Sequence, residues 1–103
     1  MNEHQSRVNR MKALIKPDFL IQTIANETVL IGSGEQINFS RMLVLNDTAI
    51  HIVEQLQQHF SPVSSETLAQ SLVESYQVDF PEALADVEEL LRLLAEQGVV
   101  VIE

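Results

Sequence analysis

The sequence predicts an α+β domain in which a small three-stranded antiparallel sheet is followed by three helices. Three observations lead there. Between residues 19 and 45, apolar and β-branched residues come in short runs broken by Asn26 and by the glycines of "GSGE". After Asn46 the apolar repeat changes to helical spacing. That spacing then returns twice, each time behind a Ser or Asp that can cap a helix. Strands first and helices afterwards is the order of an α+β fold.

Residues 1–17 read as a flexible N-terminal arm and residues 18–103 as the folded domain. The arm carries four of the six basic residues, Arg7, Arg10, Lys12 and Lys16, and ends at Pro17-Asp18. Residues 19–25 and 28–31 form the first two predicted strands. Asn26-Glu27 suits the turn between them, because Asn tolerates positive φ. Gly32 and Gly34 allow the next turn. The third strand is "QINFSRMLVL", residues 36–45. Ile37, Phe39, Leu43 and Leu45 share one face; Gln36, Asn38, Ser40, Met42 and Val44 share the other. From Met42 to Leu45 both faces are apolar, so both are expected to be covered.

The strand meets a helix with no loop between them. Asn46 is the predicted N-cap, and Asp47 places a negative charge in the first turn. Ala49, Ile52, Val53, Leu56 and Phe60 then mark the inward face. "SPVSS" breaks that helix, and Ser64 or Ser65 caps the second, with Leu68, Ala69, Leu72, Val73 and Tyr76 inward. Asp79 with Glu82 has the form of a capping box, and Pro81 is tolerated in a first turn. Leu84, Val87, Leu91 and Leu94 make the core stripe of the third helix. Gly98 is its C-terminal cap, and "VVVIE" is extended in character.

Length and composition narrow the function. A chain of 103 residues, 46% hydrophobic and 20% charged, fits one soluble domain with a modest core. It has no Cys, hence no disulfide, thiolate metal site or Cys nucleophile. The N-terminus lacks the apolar stretch of a signal peptide and no run is long enough to span a bilayer, so the expected setting is the cytoplasm without membrane contact. Net charge is −9, and from Pro17 onward only Arg41 and Arg92 stand against fourteen carboxylates. Such a body repels a phosphate backbone, which argues against nucleic acid.

His4, His51 and His59 are the only histidines, and no carboxylate completes a metal-ligand set with them. "GSG" opens into a strand rather than a helix, so it does not cradle phosphate. No nucleophile elbow is present. The sequence therefore points to no catalytic residue, no metal and no cofactor.

One surplus stands out. Leu90 and Leu93 lie beside the completed core stripe of the third helix, and Met42 and Val44 lie on the second face of strand three. Each excess by itself fits ordinary packing; together they suit an apolar groove between strand and helix. A free strand-three edge could also pair with an incoming strand.

The pattern Leu45-Asn46-x-Thr48-Ala49, then Ile52 and Leu56, resembles the signature of the PqqD family, named for the pyrroloquinoline quinone synthesis protein D. So does the later run with Leu68-Ala69, Tyr76-x-Val78-Asp79, Val87, Leu90-Leu91 and Gly98. The likeness spans about residues 19–100. It departs at Val53, where the family often has an aromatic residue, and in "FSPVSS", where a shorter Gly-containing turn is common.

The resemblance implies a winged-helix-like domain of a kind that recognises ribosomally made, post-translationally modified peptides. Such domains bind the leader segment of a precursor peptide as an added strand and present it to a modifying enzyme, often a radical S-adenosylmethionine protein. Carried onto this chain, it implies peptide contacts at Asn38, Ser40, Met42 and Val44 of the strand and at Asp86, Leu90, Leu93 and Gln97 of the helix. Asp86 and Glu89 would favour a leader with Lys or Arg. A structural docking subunit of a partner enzyme is the alternative. A DNA-binding winged helix is less compatible, because the second and third helices offer only Arg92. A monomer and a homodimer both fit.

Overall fold

The computed structural model describes residues 11–32 and 42–103. Their order is β1 (Lys12–Ile15), β2 (Phe19–Ile24), β3 (Glu27–Gly32), β4 (Leu43–Val44), α1 (Asp47–Gln57), β5 (Val63–Ser64), α2 (Ser65–Tyr76), α3 (Phe80–Glu96) and β6 (Val100–Ile102). The strands form two antiparallel three-stranded sheets, ordered β2-β3-β4 and β5-β1-β6.

The first hairpin turns one residue earlier than expected. Ala25 and Asn26 both take positive φ, 52° and 70°, and Ile24 pairs with Glu27. A two-residue loop with both φ positive matches the right-handed twist of the strands, and this geometry decides the turn. Phe19, Ile21, Leu30, Leu43 and Leu45 from this sheet pack on the helices. Of the long third strand expected at residues 36–45, Leu43–Val44 is paired, and residues 36–41, with Asn38 and Ser40, lie outside the described residues.

The expected flexible arm needs correcting. Residues 1–10 lie outside the described residues, but Lys12–Ile15 is the middle strand of the second sheet. Ala13 is fully buried, opposite Val63 on one side and Ile102 on the other. The Lys16 amide donates to the Val99 carbonyl at 2.9 Å, and the Glu103 amide to the Lys12 carbonyl at 2.8 Å. The folded unit therefore begins before residue 18. An apolar triplet between two lysines is too short to show a period, and its place as a strand is set by pairing with Val63–Ser64 and Val100–Ile102, far along the chain.

The helices begin where their caps predict. Asn46 Oδ1 accepts from the Ala49 amide at 2.9 Å, and Ser64 Oγ accepts from the Thr67 amide at 3.0 Å. Asp79 sits at the N-cap of α3 but its carboxylate makes no capping bond. Pro81, at the second helical position, has no N–H to offer it. Gly98, at φ 79°, closes α3: its amide donates to the Ala95 carbonyl at 3.1 Å, and the Val99 amide to Leu94 at 2.8 Å. This Schellman pairing swings the chain into β6.

Three predicted inward residues are placed differently. Tyr76, the last residue of α2, is 39% exposed, its ring set against His51 rather than in the core. Phe60 is 98% exposed, because α1 stops at Gln57 and tightens its end with Gln58 and His59 amides bonded to Gln55 and Leu56 carbonyls. On α3 the buried stripe is Ala83, Val87, Leu91 and Leu94, with Leu84 only half-buried. The small Ala83 faces inward, which rotates the stripe toward Leu90 and away from Leu84.

Candidate functional site

The site begins at β4. It is the outer strand of its sheet and bonds to β3 alone among the described residues. The Leu45 amide donates to the Thr28 carbonyl at 2.8 Å, continuing the register that sets Val29 against Val44 and Leu30 against Leu43. Hydrogen-bonded and non-bonded pairs alternate along an antiparallel ladder. Thr28–Leu45 is a bonded pair, so Val29–Val44 is not. The N–H and C=O of Val44 therefore point away from β3, toward a side of β4 on which no described residue pairs. The Val44 side chain is also exposed.

The next residues hold this edge still. Leu45 is buried in the core. Asn46 caps α1 and also accepts a bond from the Thr48 hydroxyl at 3.1 Å. The Ile50 amide completes the first turn on the Asn46 carbonyl at 2.9 Å. Strand and helix thus share one fixed junction without a loop.

A cleft of about 610 Å³ opens beside that junction, between the start of α1 and the length of α3. This volume is in the range of small ligand pockets. Ile52, Leu72 and Val87, all buried, form its floor. Leu90, half-buried, and Leu93, 44% exposed, form the apolar wall on α3. Asp86, Glu89, Glu96 and Arg92 stand around them. The Arg92 guanidinium reaches Glu88 at 3.9 Å along its own helix.

Of the eight expected peptide contacts, Asp86, Leu90 and Leu93 line the cleft together. Val44 lies in the edge strand and Met42 just before it, both outside the cleft lining. Gln97 caps the end of α3, outside that lining. The opposite wall, Asn46 with Thr48 and Ala49 at the start of α1, was not among the expected contacts. It carries a signal in hindsight: Ala49 is a small residue where the inward stripe otherwise has large ones, and a small residue leaves room.

His51 has a structural place. Its Nε2 lies 3.1 Å from Ser71 Oγ, whose own proton goes to the Leu68 carbonyl at 2.6 Å, so the imidazole donates. Its ring meets Tyr76 edge-on with centroids 5.6 Å apart. The contact ties α1 to α2. Among the described residues, no three His, Asp or Glu side chains come together in a way that could hold a metal. No helix there is long and apolar enough to cross a membrane.

The family model for coenzyme PQQ synthesis protein D (PqqD) matches residues 27–100. The chain belongs to the PqqD family. Solved structures in the same fold include a lasso peptide synthetase B1 complexed with its leader peptide, 26% identical, with a TM-score of 0.63 over 86% of this chain and 96% of that one. TbiB1 in complex with the TbiA(beta) leader peptide is 21% identical, with a TM-score of 0.63 over 84% of this chain and 93% of that one. The PqqD part of Methylobacterium extorquens PqqCD, a stand-alone recognition element for ribosomally made, modified peptides, is 21% identical. Its TM-score is 0.61, over 87% of this chain and 88% of that one. No curated protein matches in sequence. These likenesses fit the expected winged-helix-like α+β fold, and the β5-β1-β6 sheet adds to it a second sheet that the sequence did not announce.

Proposed function

We propose that this PqqD-family chain is a non-catalytic recognition element. It binds the leader segment of a ribosomally made precursor peptide as a strand added to β4 and presents it to a modifying enzyme, such as a radical S-adenosylmethionine maturase. The observation that carries this reading is the outward-facing backbone of Val44, held on a rigid edge beside an apolar cleft. Strand addition needs that combination: main-chain groups supply affinity for any sequence, and a neighbouring pocket selects side chains. The structures of the same fold that hold leader peptides support it.

In this reading Met42 and Val44, together with Asn38 and Ser40 upstream, meet the leader backbone, and Asp86, Leu90, Leu93 and Gln97 meet its side chains. The test is an NMR titration of the full isotope-labelled chain with leader segments of short precursor peptides encoded beside its gene. Shifts clustered at Met42–Leu45 and along α3 near Leu90 and Leu93 are expected. A stable complex with a neighbouring enzyme and no peptide-induced shift would replace this reading with a docking subunit.

A further inference from the structure

The cleft is apolar at its base and acidic at its rim. Ile52, Leu72, Leu90 and Leu93 offer a place for one apolar side chain. Asp86, Glu89 and Glu96 stand above it, with Arg92 as the one basic residue of the lining among the described residues. Arg92 extends toward Glu88. Among the described residues no basic group pairs with Asp86, Glu89 or Glu96. The positive end of α1, which also reaches this cleft, is already met by the Asn46 side chain and by Asp47. The cleft therefore presents a negative rim around an apolar pocket.

We infer that the occupant of this cleft is a peptide segment whose apolar anchor residue is flanked by Lys or Arg. This rests on the peptide-binding reading and adds to it the class of sequence selected. Like charges across an interface act against the wrong partner as much as opposite charges favour the right one. An acidic segment with the same apolar anchor would thus be rejected. From Asp86 to Glu96 the rim follows about 15 Å of helix. An extended strand covers that length in about four to five residues. The basic residues therefore fall within one short stretch around the anchor.

The test is selection of linear peptides from a random displayed library at low salt, using the full chain. Two variants of equal net charge accompany it: D86N/E89Q/E96Q at the rim, and E54Q/E74Q/E103Q at exposed positions elsewhere. Binders of the wild type and of the second variant are expected to carry Lys or Arg beside an apolar residue. Binders of the rim variant should keep the apolar residue and lose the basic bias. A selected basic peptide should bind the rim variant about tenfold more weakly than the other variant, with the gap closing in high salt.

Equal basic bias with all three proteins would overturn the inference, because net charge alone would then explain it. Binders that shift Leu90 and Leu93 resonances but show no basic bias would overturn it while leaving peptide recognition intact. If no peptide binds in the cleft, the inference and the recognition reading both fall.

Discussion

The Leu45 amide donates to the Thr28 carbonyl at 2.8 Å, and this bond decides which way the backbone of Val44 faces. With Thr28–Leu45 a bonded pair, Leu30–Leu43 is bonded and Val29–Val44 is not. Proline is tolerated on an edge strand where its missing N–H would have faced outward. Val44→Pro is therefore expected to keep the fold and to weaken binding of a strand-adding peptide by about fivefold to tenfold, the worth of one hydrogen bond. Leu43→Pro, which removes a donor inside the ladder, should destabilise the domain. Thermal melts and peptide titrations of the two variants check this. Equal destabilisation by both would show that Val44 does not face outward.

Leu91 and Leu93 are two residues apart on α3 and have opposite surroundings. Leu91 is fully buried and Leu93 is 44% exposed on the cleft wall. Leu91→Ala should cost about 2–5 kcal/mol of stability by opening a cavity. Leu93→Ala should change stability by no more than about 0.5 kcal/mol while reducing peptide affinity several-fold. Urea denaturation of both variants, with the slope compared to the wild type, reads the first effect. Calorimetric titration reads the second. Undiminished affinity in Leu93→Ala would remove that wall from the binding surface.

Ala25 holds a left-handed conformation at φ 52°, which costs a residue with a Cβ about 1–2 kcal/mol. Glycine adopts it freely. Ala25→Gly is expected to stabilise the domain by about 1 kcal/mol, after allowing for the greater freedom of glycine in the unfolded chain. The midpoint of thermal unfolding should rise by about 4 °C or more. A lower midpoint would mean that the hairpin relaxes around Ala25 without strain.

Asn46 caps α1 one residue after the last bond of β4. Asn46→Ala should cost about 1 kcal/mol, and Asn46→Asp should preserve most of the capping energy. Because the junction has no loop, loss of the cap should also loosen the strand. Hydrogen exchange at the Leu45 amide is expected to quicken in Asn46→Ala and to stay near the wild-type rate in Asn46→Asp. Unchanged exchange in both variants would separate the cap from the strand edge.

Much of the fold was legible because its causes are local. Asn46 and Ser64 have side-chain oxygens that reach amides three residues on, whatever the rest of the chain does. Gly98 permits the positive φ at which α3 ends. Ile52, Val53 and Leu56, or Val87, Leu91 and Leu94, recur at the helical period and must share a face. The same periodicity overreached at Phe60, since it records which residues would align and not where the last helical hydrogen bond forms.

By itself, then, the sequence determined the caps at Asn46, Ser64 and Gly98, most of the inward faces, the acidic surface and the family. Each follows from residues near one another in the chain or from their sum. Only the tertiary structure decided that Lys12–Ile15 is a central strand, because its pairing partners lie about fifty and ninety residues away, at Val63–Ser64 and Val100–Ile102. It also decided the ladder phase that turns Val44 outward, and the packing of α1, α2 and α3 that gathers Ile52, Leu72 and Leu90 around one cleft. Those are relations between segments: a pairing register and a packing distance belong to both partners at once, and neither partner's sequence states them alone.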